Sequence, residues 1–380
     1  MQIFNNVLNF HIHKGKLFYQ NNKFEFFYFD KKTKISTLFG SNNKFSVILT
    51  TNEIVFFSEA NKCKVFTFQG ALLYSFEGFT PRLINEYSNL VICTEGDLEN
   101  KYISARSLKT LTKLWDTNFH GVLFFLCNYF FIVSKTSTNR NIFICLNIET
   151  GNVRWQYTLD ESFDLVIDTP REKRTIQAFF TRICGDFGGY IWCTLYHDYL
   201  LRFDMETGDI QSWSLMDMID DDQYRTIESC IYFRDILAQA HLNAEQGKIY
   251  GLHQKTFLEI DISTGAPKAT VHDISETLTE NGIEKAEYTP SLVWKQDKVY
   301  FCNNGSSTMD HNIGRLDIKT KKIDLVGKTQ EKFIVDGMPG HYLLPYNQVM
   351  ECSDDKVYIL TKHGGDLCIY DIDEQKGTIS

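Results

Sequence analysis

The sequence predicts an all-β fold: a single domain over residues 1–380, built as an eight-bladed β-propeller of four-stranded antiparallel blades, with seven blades as the alternative. Three observations carry this reading. A strand-and-turn pattern recurs eight times along the chain. Aromatic residues make up 14% of it, with 30 Phe and 19 Tyr, a composition that favours strands over helices. With 23 Gly and only six Pro, the chain is neither collagen-like nor of low complexity.

The copies run in order from FFYFDKKTKIST at Asp30 through VFTFQGALLYSF around Gln69, ISARSLKTLTKLW around Ser107 and CLNIETGNVRW at Asn147. They continue with LRFDMETGDIQSW at Asp204, LEIDISTGAPKAT at Asp261, GRLDIKTKKIDLV at Asp317 and CIYDIDEQKG at Asp371. Successive anchors lie 39, 38, 40, 57, 57, 56 and 54 residues apart, so the first blocks are compact and the later ones carry about sixteen extra residues each. In each copy an alternating strand ends at a short polar residue, whose side chain holds a tight turn by accepting from the backbone a few residues on. Thr follows three positions later at Thr33, Thr110, Thr150, Thr207, Thr264 and Thr320, and Gly151, Gly208 and Gly265 supply a positive φ after it.

Upstream of the turn lies a second strand with a charged or Gly start and an aromatic end: GKLFY, GYIWC, GKIYG, DKVYF and DKVYI. An apolar strand precedes each of these, so every block reads as four strands, A to D, with the quoted turn between C and D. The most apolar run, GVLFFLCNYFFIV (121–133), is too short to cross a bilayer and reads as two buried strands. Such units cannot bury both faces alone; stacking them in a ring does so and removes exposed edges. The N-terminal MQIFNN is expected to close that ring as an outer strand of the last blade.

The pattern A-x-D-x-x-T-G-x-x-x-W resembles the repeat of the quinoprotein-like (PQQ-like) propellers. CLNIETGNVRW matches it with Cys145 and Asn147 in the small and acidic places, and ARSLKTLTKLW keeps Ala105, Thr110 and Trp115. Trp213 stands one place late, and the last three copies have no Trp. The resemblance implies that each Trp packs between neighbouring blades and that eight blades close the ring. The family includes quinone-dependent dehydrogenases as well as non-catalytic scaffolds. The dehydrogenases carry a vicinal disulfide beside the cofactor, and this chain has no adjacent Cys pair, so no cofactor is carried over.

In a four-stranded antiparallel blade the D-to-A and B-to-C connections leave on one face. The extra residues fall there, in the D-to-A links 159–174, 215–229, 271–291 and 327–347 and the B-to-C links 134–141 and 302–312. Long loops on a rigid scaffold are where binding residues concentrate, so this face of blades 4–8 is the expected partner surface; capping of the central channel is the alternative. Arg171 and Arg174, the acidic Asp220, Asp221 and Asp222, Tyr224 and Arg225, and Tyr342 and Tyr346 are the candidate partner-binding residues, because aromatic residues and Arg anchor interfaces. In the link 271–291, Asp273 and Glu276 have capping-box spacing and Asn281-Gly282 a stop, which predicts a short helix.

Net charge is −9, which argues against a general nucleic-acid binder and favours a basic protein partner. No signal peptide is read at the N-terminus, and none of the ten Cys forms CxxC, so reduced, buried thiols and a cytoplasmic location are expected. Clustered Asp217, Asp220, Asp221 and Asp222 suit a hard cation in type but lack the spacing of a calcium loop; a solvated acidic loop is the reading preferred. His11 and His13 share one strand face without a third metal ligand near in sequence, and read as satisfied strand histidines. No GxSxG, Walker A or HExxH motif is present, and CGDFGG stands without any other kinase signature. The expected function is a non-catalytic propeller that holds or inhibits a protein partner, such as an immunity (antitoxin-like) protein, with no cofactor or metal and no nucleic-acid or membrane partner. The alternative is a lyase or glycoside hydrolase whose acids, such as Asp168, Glu172 and Asp186, meet at the channel mouth.

Overall fold

The computed structural model describes residues 2–30, 33–41, 47–59, 62–96, 102–126, 129–169, 172–196, 198–220, 236–283, 286, 292–302, 311–329, 350–353, 356–360 and 365–372. Eight antiparallel blades stand in chain order around a ring, the last and the first joined in one seven-stranded sheet, so the seven-bladed alternative falls. Blade 4 shows the plan: Val122–Leu126, Tyr129–Lys135, Asn141–Asn147 and Val153–Thr158 pair in that order as A, B, C and D. Its A and B strands are the two strands read from the most apolar run; strand B is buried along 130–133, whereas strand A, expected to be buried, is only half-buried throughout. Strand A of one blade neighbours strand A of the next, as between blades 1 and 2, 2 and 3, and 3 and 4, which puts the A strands innermost. No helix among the described residues is long and apolar enough to cross a membrane.

The ring closes as the sequence predicts. Strand Gln2–His13 pairs with both ends of the chain: Gln2, Ile3 and Phe4 lie against Ile369, Cys368 and Leu367 of blade 8, while Val7–His13 is strand A of blade 1 against Lys16–Asn21. Phe4 packs edge-on to Phe29, at 4.8 Å between ring centroids, so the latch also seats in blade 1.

The C–D corners explain the repeat. Oδ1 of Asp30, Asn147, Asp204 and Asp317 accepts the N–H of Thr33, Thr150, Thr207 and Thr320 at 3.2, 3.0, 2.9 and 2.8 Å, and Oγ of Ser107 accepts that of Thr110 at 3.3 Å. The next residue is left-handed in all six matching corners: Lys34, Leu111, Gly151, Gly208, Gly265 and Lys321, with φ between 58° and 100°. The corner geometry therefore survives where Gly is absent, at a backbone cost of about 1–2 kcal/mol each. The second copy is a correction. Its corner starts at Thr67 rather than Gln69 and is one residue shorter, with Gly70 at φ 86° and Gly70 N–H donating to the Thr67 carbonyl at 3.0 Å.

The core is split among the seams between blades. A single-residue bulge on strand D, at Leu114 and Arg154, brings Trp115 and Trp155 opposite Ala105 and Cys145. Each indole then lies over the corner of the next blade. Trp115 Nε1–H donates to the Ile148 carbonyl at 2.8 Å and Trp155 Nε1–H to the Met205 carbonyl at 3.0 Å. Gly151 and Gly208 lie directly beneath: an added Cβ would sit 2.6 Å from Trp115 and 2.7 Å from Trp155. This is the interblade packing that the resemblance implies. Strand D of blade 5 has no bulge, so Trp213 lies two residues past the docking register; Arg202 covers the Tyr190, Trp192 and Trp213 rings instead and reaches the Gly265 carbonyl. Seam 1–2 is filled by Phe18, Phe26, Phe39, Phe57, Phe66 and Phe68.

In the later seams the long links themselves contribute to the core. Leu159, Phe163 and Ala178 fill seam 4–5; Leu215, Met218 and Ile219 fill seam 5–6; Ile274, Leu278, Ile283 and Ala286 fill seam 6–7. Part of the extra length of blades 4–7 is therefore structural wedge. The helix expected in the link 271–291 is Ser275–Glu280, ended at Gly282 with φ 65°. Its expected capping box does not form: Asp273 Oδ1 accepts from Ser275 N–H at 2.8 Å and Ile274 occupies the cap position. The box forms instead between Ser214 and Asp217, on helix Leu215–Met218.

Candidate functional site

The D-to-A and B-to-C links leave the ring on one face, and one of them builds a projecting element. After strand D of blade 4, a short turn Glu161–Phe163 is capped by Asp160, whose carboxylate accepts from Ser162 N–H at 2.8 Å and is held below its usual range by that bond. Strands Leu165–Thr169 and Glu172–Ile176 then form a hairpin, a two-stranded sheet paired with nothing else among the described residues. The arms pair antiparallel from Leu165 opposite Ile176 to Thr169 opposite Glu172, and the β-branched Val166, Ile167, Thr169, Thr175 and Ile176 favour the extended backbone on either side of Pro170-Arg171.

The hairpin base is rigid. Arg140, from the B-to-C link of blade 4, makes a bidentate pair with Asp164 at 2.7 and 3.1 Å. Its Nε–H donates to the Leu159 carbonyl at 2.9 Å, and Asp164 Oδ1 also accepts Ala178 N–H at 2.9 Å. Both side chains are part-buried, at 12% and 7% accessible. Burial alone would raise the Asp164 carboxyl; the hydrogen bonds from Arg140 and Ala178 outweigh it and hold the group below its usual range. Such a pair fixes direction more than it adds stability. Above it the hairpin is exposed: Val166 is 62% accessible, and Lys173, Arg174 and Thr175 face solvent.

Of the residues singled out from the sequence, Arg174 stands on the hairpin opposite Ile167, and Asp220 is exposed just beyond Ile219, which bridges to Ala269. These two sit on adjacent D-to-A links. Arg171, Asp221, Asp222, Tyr224, Arg225, Tyr342 and Tyr346 lie outside the described residues. Asp217 serves the capping box. The hairpin was missed as an element; its signal was the pair of β-branched runs LVIDT and EKRTI on either side of Pro170-Arg171.

The inner wall carries a second polar group. His11 and His13 project from strand A of blade 1 with rings 6.4 Å apart, and His11 Nε2 meets Thr50 Oγ1 at 3.0 Å. Burial and His13 push His11 down to about 4. His13 differs from expectation, for its buried Nε2 has no hydrogen-bond partner. Glu351 on strand A of blade 8 is pushed up to about 7 by burial, against the Ile12 N–H that donates to it. Asp168 and Glu172 lie on the hairpin, whereas Asp186 lies near the far end of strand Phe180–Phe187, about 20 Å along a strand. Among the described residues no three His, Cys, Asp or Glu side chains group as a metal site. Cys63, Cys93, Cys145, Cys184 and Cys193 are thiols outside any disulfide, and burial raises each of them.

No protein-family model matches the sequence, and no curated protein matches it. Solved structures share its shape. Sqt1 of Saccharomyces cerevisiae superposes with a TM-score of 0.57 at 9% identity, over 97% of each chain. The computationally designed Ika8 protein does so at 0.55 and 14% identity, over 97% of this chain and 96% of its own. BamB from Moraxella catarrhalis matches at 10% identity over 86% of this chain and 96% of its own, with a TM-score of 0.46. At these identities the likenesses show the propeller fold and nothing finer.

Proposed function

We propose that this chain is a non-catalytic binding propeller that grips a protein partner with the link face of blades 4–8. The observation that carries the reading is the hairpin 165–176: a rigidly based, solvent-projecting element on the face where length has been added. Arg174 on its exposed arm, together with Arg171, Tyr342 and Tyr346, acts as an anchor, these being residue types that interfaces favour. Asp220, Asp221 and Asp222, beside Tyr224 and Arg225, meet a basic patch of the partner, in keeping with the net charge of −9. The role assigned to this propeller is immunity or antitoxin-like, acting in the cytoplasm by holding or blocking another protein. The Trp docking at Trp115 and Trp155 supports placing the chain as an outlying, non-catalytic member of the quinoprotein-like propellers.

The test is capture from the native host with wild type, with a variant whose hairpin is cut to a two-residue Gly turn between Asp164 and Gln177, and with Asp220→Lys. The reading expects one dominant partner on wild type, lost from the shortened variant and weakened in Asp220→Lys in a salt-dependent way. Equal recovery by all three proteins would overturn it.

A further inference from the structure

We propose that the outer rim of blades 1–3 is a homotypic interface, in which strand Leu72–Glu77 of blade 2 pairs antiparallel, edge to edge, with the same strand of a second copy. Exposed large apolar side chains gather on consecutive outer strands: Ile35 and Leu38 on blade 1, Leu72, Leu73 and Tyr74 on blade 2, and Leu114 on blade 3. They are roughly half exposed and together offer on the order of 500 Å2 of apolar surface, spread over three neighbouring outer strands. With flanking polar atoms this approaches the roughly 800 Å2 per partner of a standard interface.

The cause lies in the corner chemistry. Tyr74 follows a bulge at Leu73 and stands opposite Val65, the register that places Trp115 and Trp155 in the next two blades. The corner it should cover carries Leu111 where the later blades carry Gly151 and Gly208, and Leu111 packs into the seam beside Phe79, Val91 and Cys93. The docking space is filled, so the ring turns out to the surface.

The strand is outermost in its sheet, which leaves one row of backbone donors and acceptors unpaired among the described residues. Up to Glu77 the blade 2 strand holds no charge and no Pro, the usual protections of an edge; ISTLFGS of blade 1 and IQSWS of blade 5 share this but are less apolar, whereas KLWDT, VRWQYT and KATVHD of blades 3, 4 and 6 carry charge. A strand of this kind fits its own copy. Pairing about a two-fold axis through its middle sets each Glu77 against the apolar Leu72 end of the other copy, so like charges stay apart, and Lys62 already neutralises Glu77 at 3.1 Å.

Sedimentation equilibrium of the full chain between about 1 and 100 µM tests this. Wild type is expected to show a monomer–dimer equilibrium. Leu72→Lys and Tyr74→Lys are each expected to weaken it at least tenfold with an unchanged thermal midpoint, while Thr270→Lys on the blade 6 rim leaves it intact. A wild type that stays monomeric, or a dimer that survives both rim variants, overturns the proposal. So does a monomeric wild type that holds a different protein by this rim. The hairpin is untouched in all of these proteins, so the result is independent of the partner reading.

Discussion

Replacing Gly208 by Ala tests the seam packing in one step. Gly208 has φ 77°, and an added Cβ would lie 2.7 Å from Cγ and Cδ2 of Trp155. The left-handed backbone costs an L-residue about 1–2 kcal/mol. The contact is with a buried ring held by its own hydrogen bond to Met205, not with a flexible tip, so overpacking adds about 1–3 kcal/mol. The sum, about 2–5 kcal/mol, lowers the thermal midpoint by roughly 3–6 °C for a chain of this length. Gly188→Ala is the control: its φ is 64° and nothing lies within 4 Å, so only the backbone cost of about 1–2 kcal/mol applies. Lys34→Gly runs the other way, because Lys34 is exposed at φ 60° in the same corner; relief of strain and the added freedom of the unfolded chain nearly cancel, leaving at most about 1 kcal/mol of gain. Differential scanning calorimetry of the three variants reads all of this. Equal losses in Gly208→Ala and Gly188→Ala would refute the docking of Trp155 over the blade 5 corner.

Further outcomes follow from the same geometry. Trp155→Phe orphans the Met205 carbonyl and is expected to cost about 1–3 kcal/mol in denaturant unfolding. Arg140→Ala leaves Asp164 buried without its cation, so hydrogen exchange should quicken at 165–176 while the A–B turns of the same blades stay protected. Glu351, held at about 7 when folded against an ordinary 4.5, binds its proton more tightly in the folded chain, so its contribution is complete below pH 4.5 and is lost as pH rises through 7. Glu351→Gln should therefore match wild type at pH 4.5 and exceed it at pH 8, by up to ~3 kcal/mol. A constant difference across that range would remove Glu351 from a buried setting.

The sequence carried the ring, the blade count and the latch, because strand alternation and corner residues are local signals that repeat. It carried less of the seams. Trp115 and Trp155 were legible as a pattern, but the bulges at Leu114 and Arg154 that aim them were not, since a bulge follows from pairing with strand C. Gln69 was a misaligned anchor because Thr67 opens a shorter corner, hidden by the residue lost from the loop. Asp273 and Glu276 had the spacing of a capping box, yet Ser275 competes for the Asp273 carboxylate; Ser214 and Asp217 formed one without being noticed. The partner face was legible as extra length. Which part of that length wedges a seam and which part projects depends on neighbouring blades: Leu278 and Met218 point inward, while Val166 points out.

The claim that partner binding lives on the link face is tested most directly by hydrogen exchange on the full chain, free and with its captured partner bound. The account predicts slowed exchange across 165–176 and around Asp220, with the A–B and C–D corners unchanged. Protection confined to those corners, at Lys14, Asn52 or the Asp30 and Asp317 turns, would contradict it.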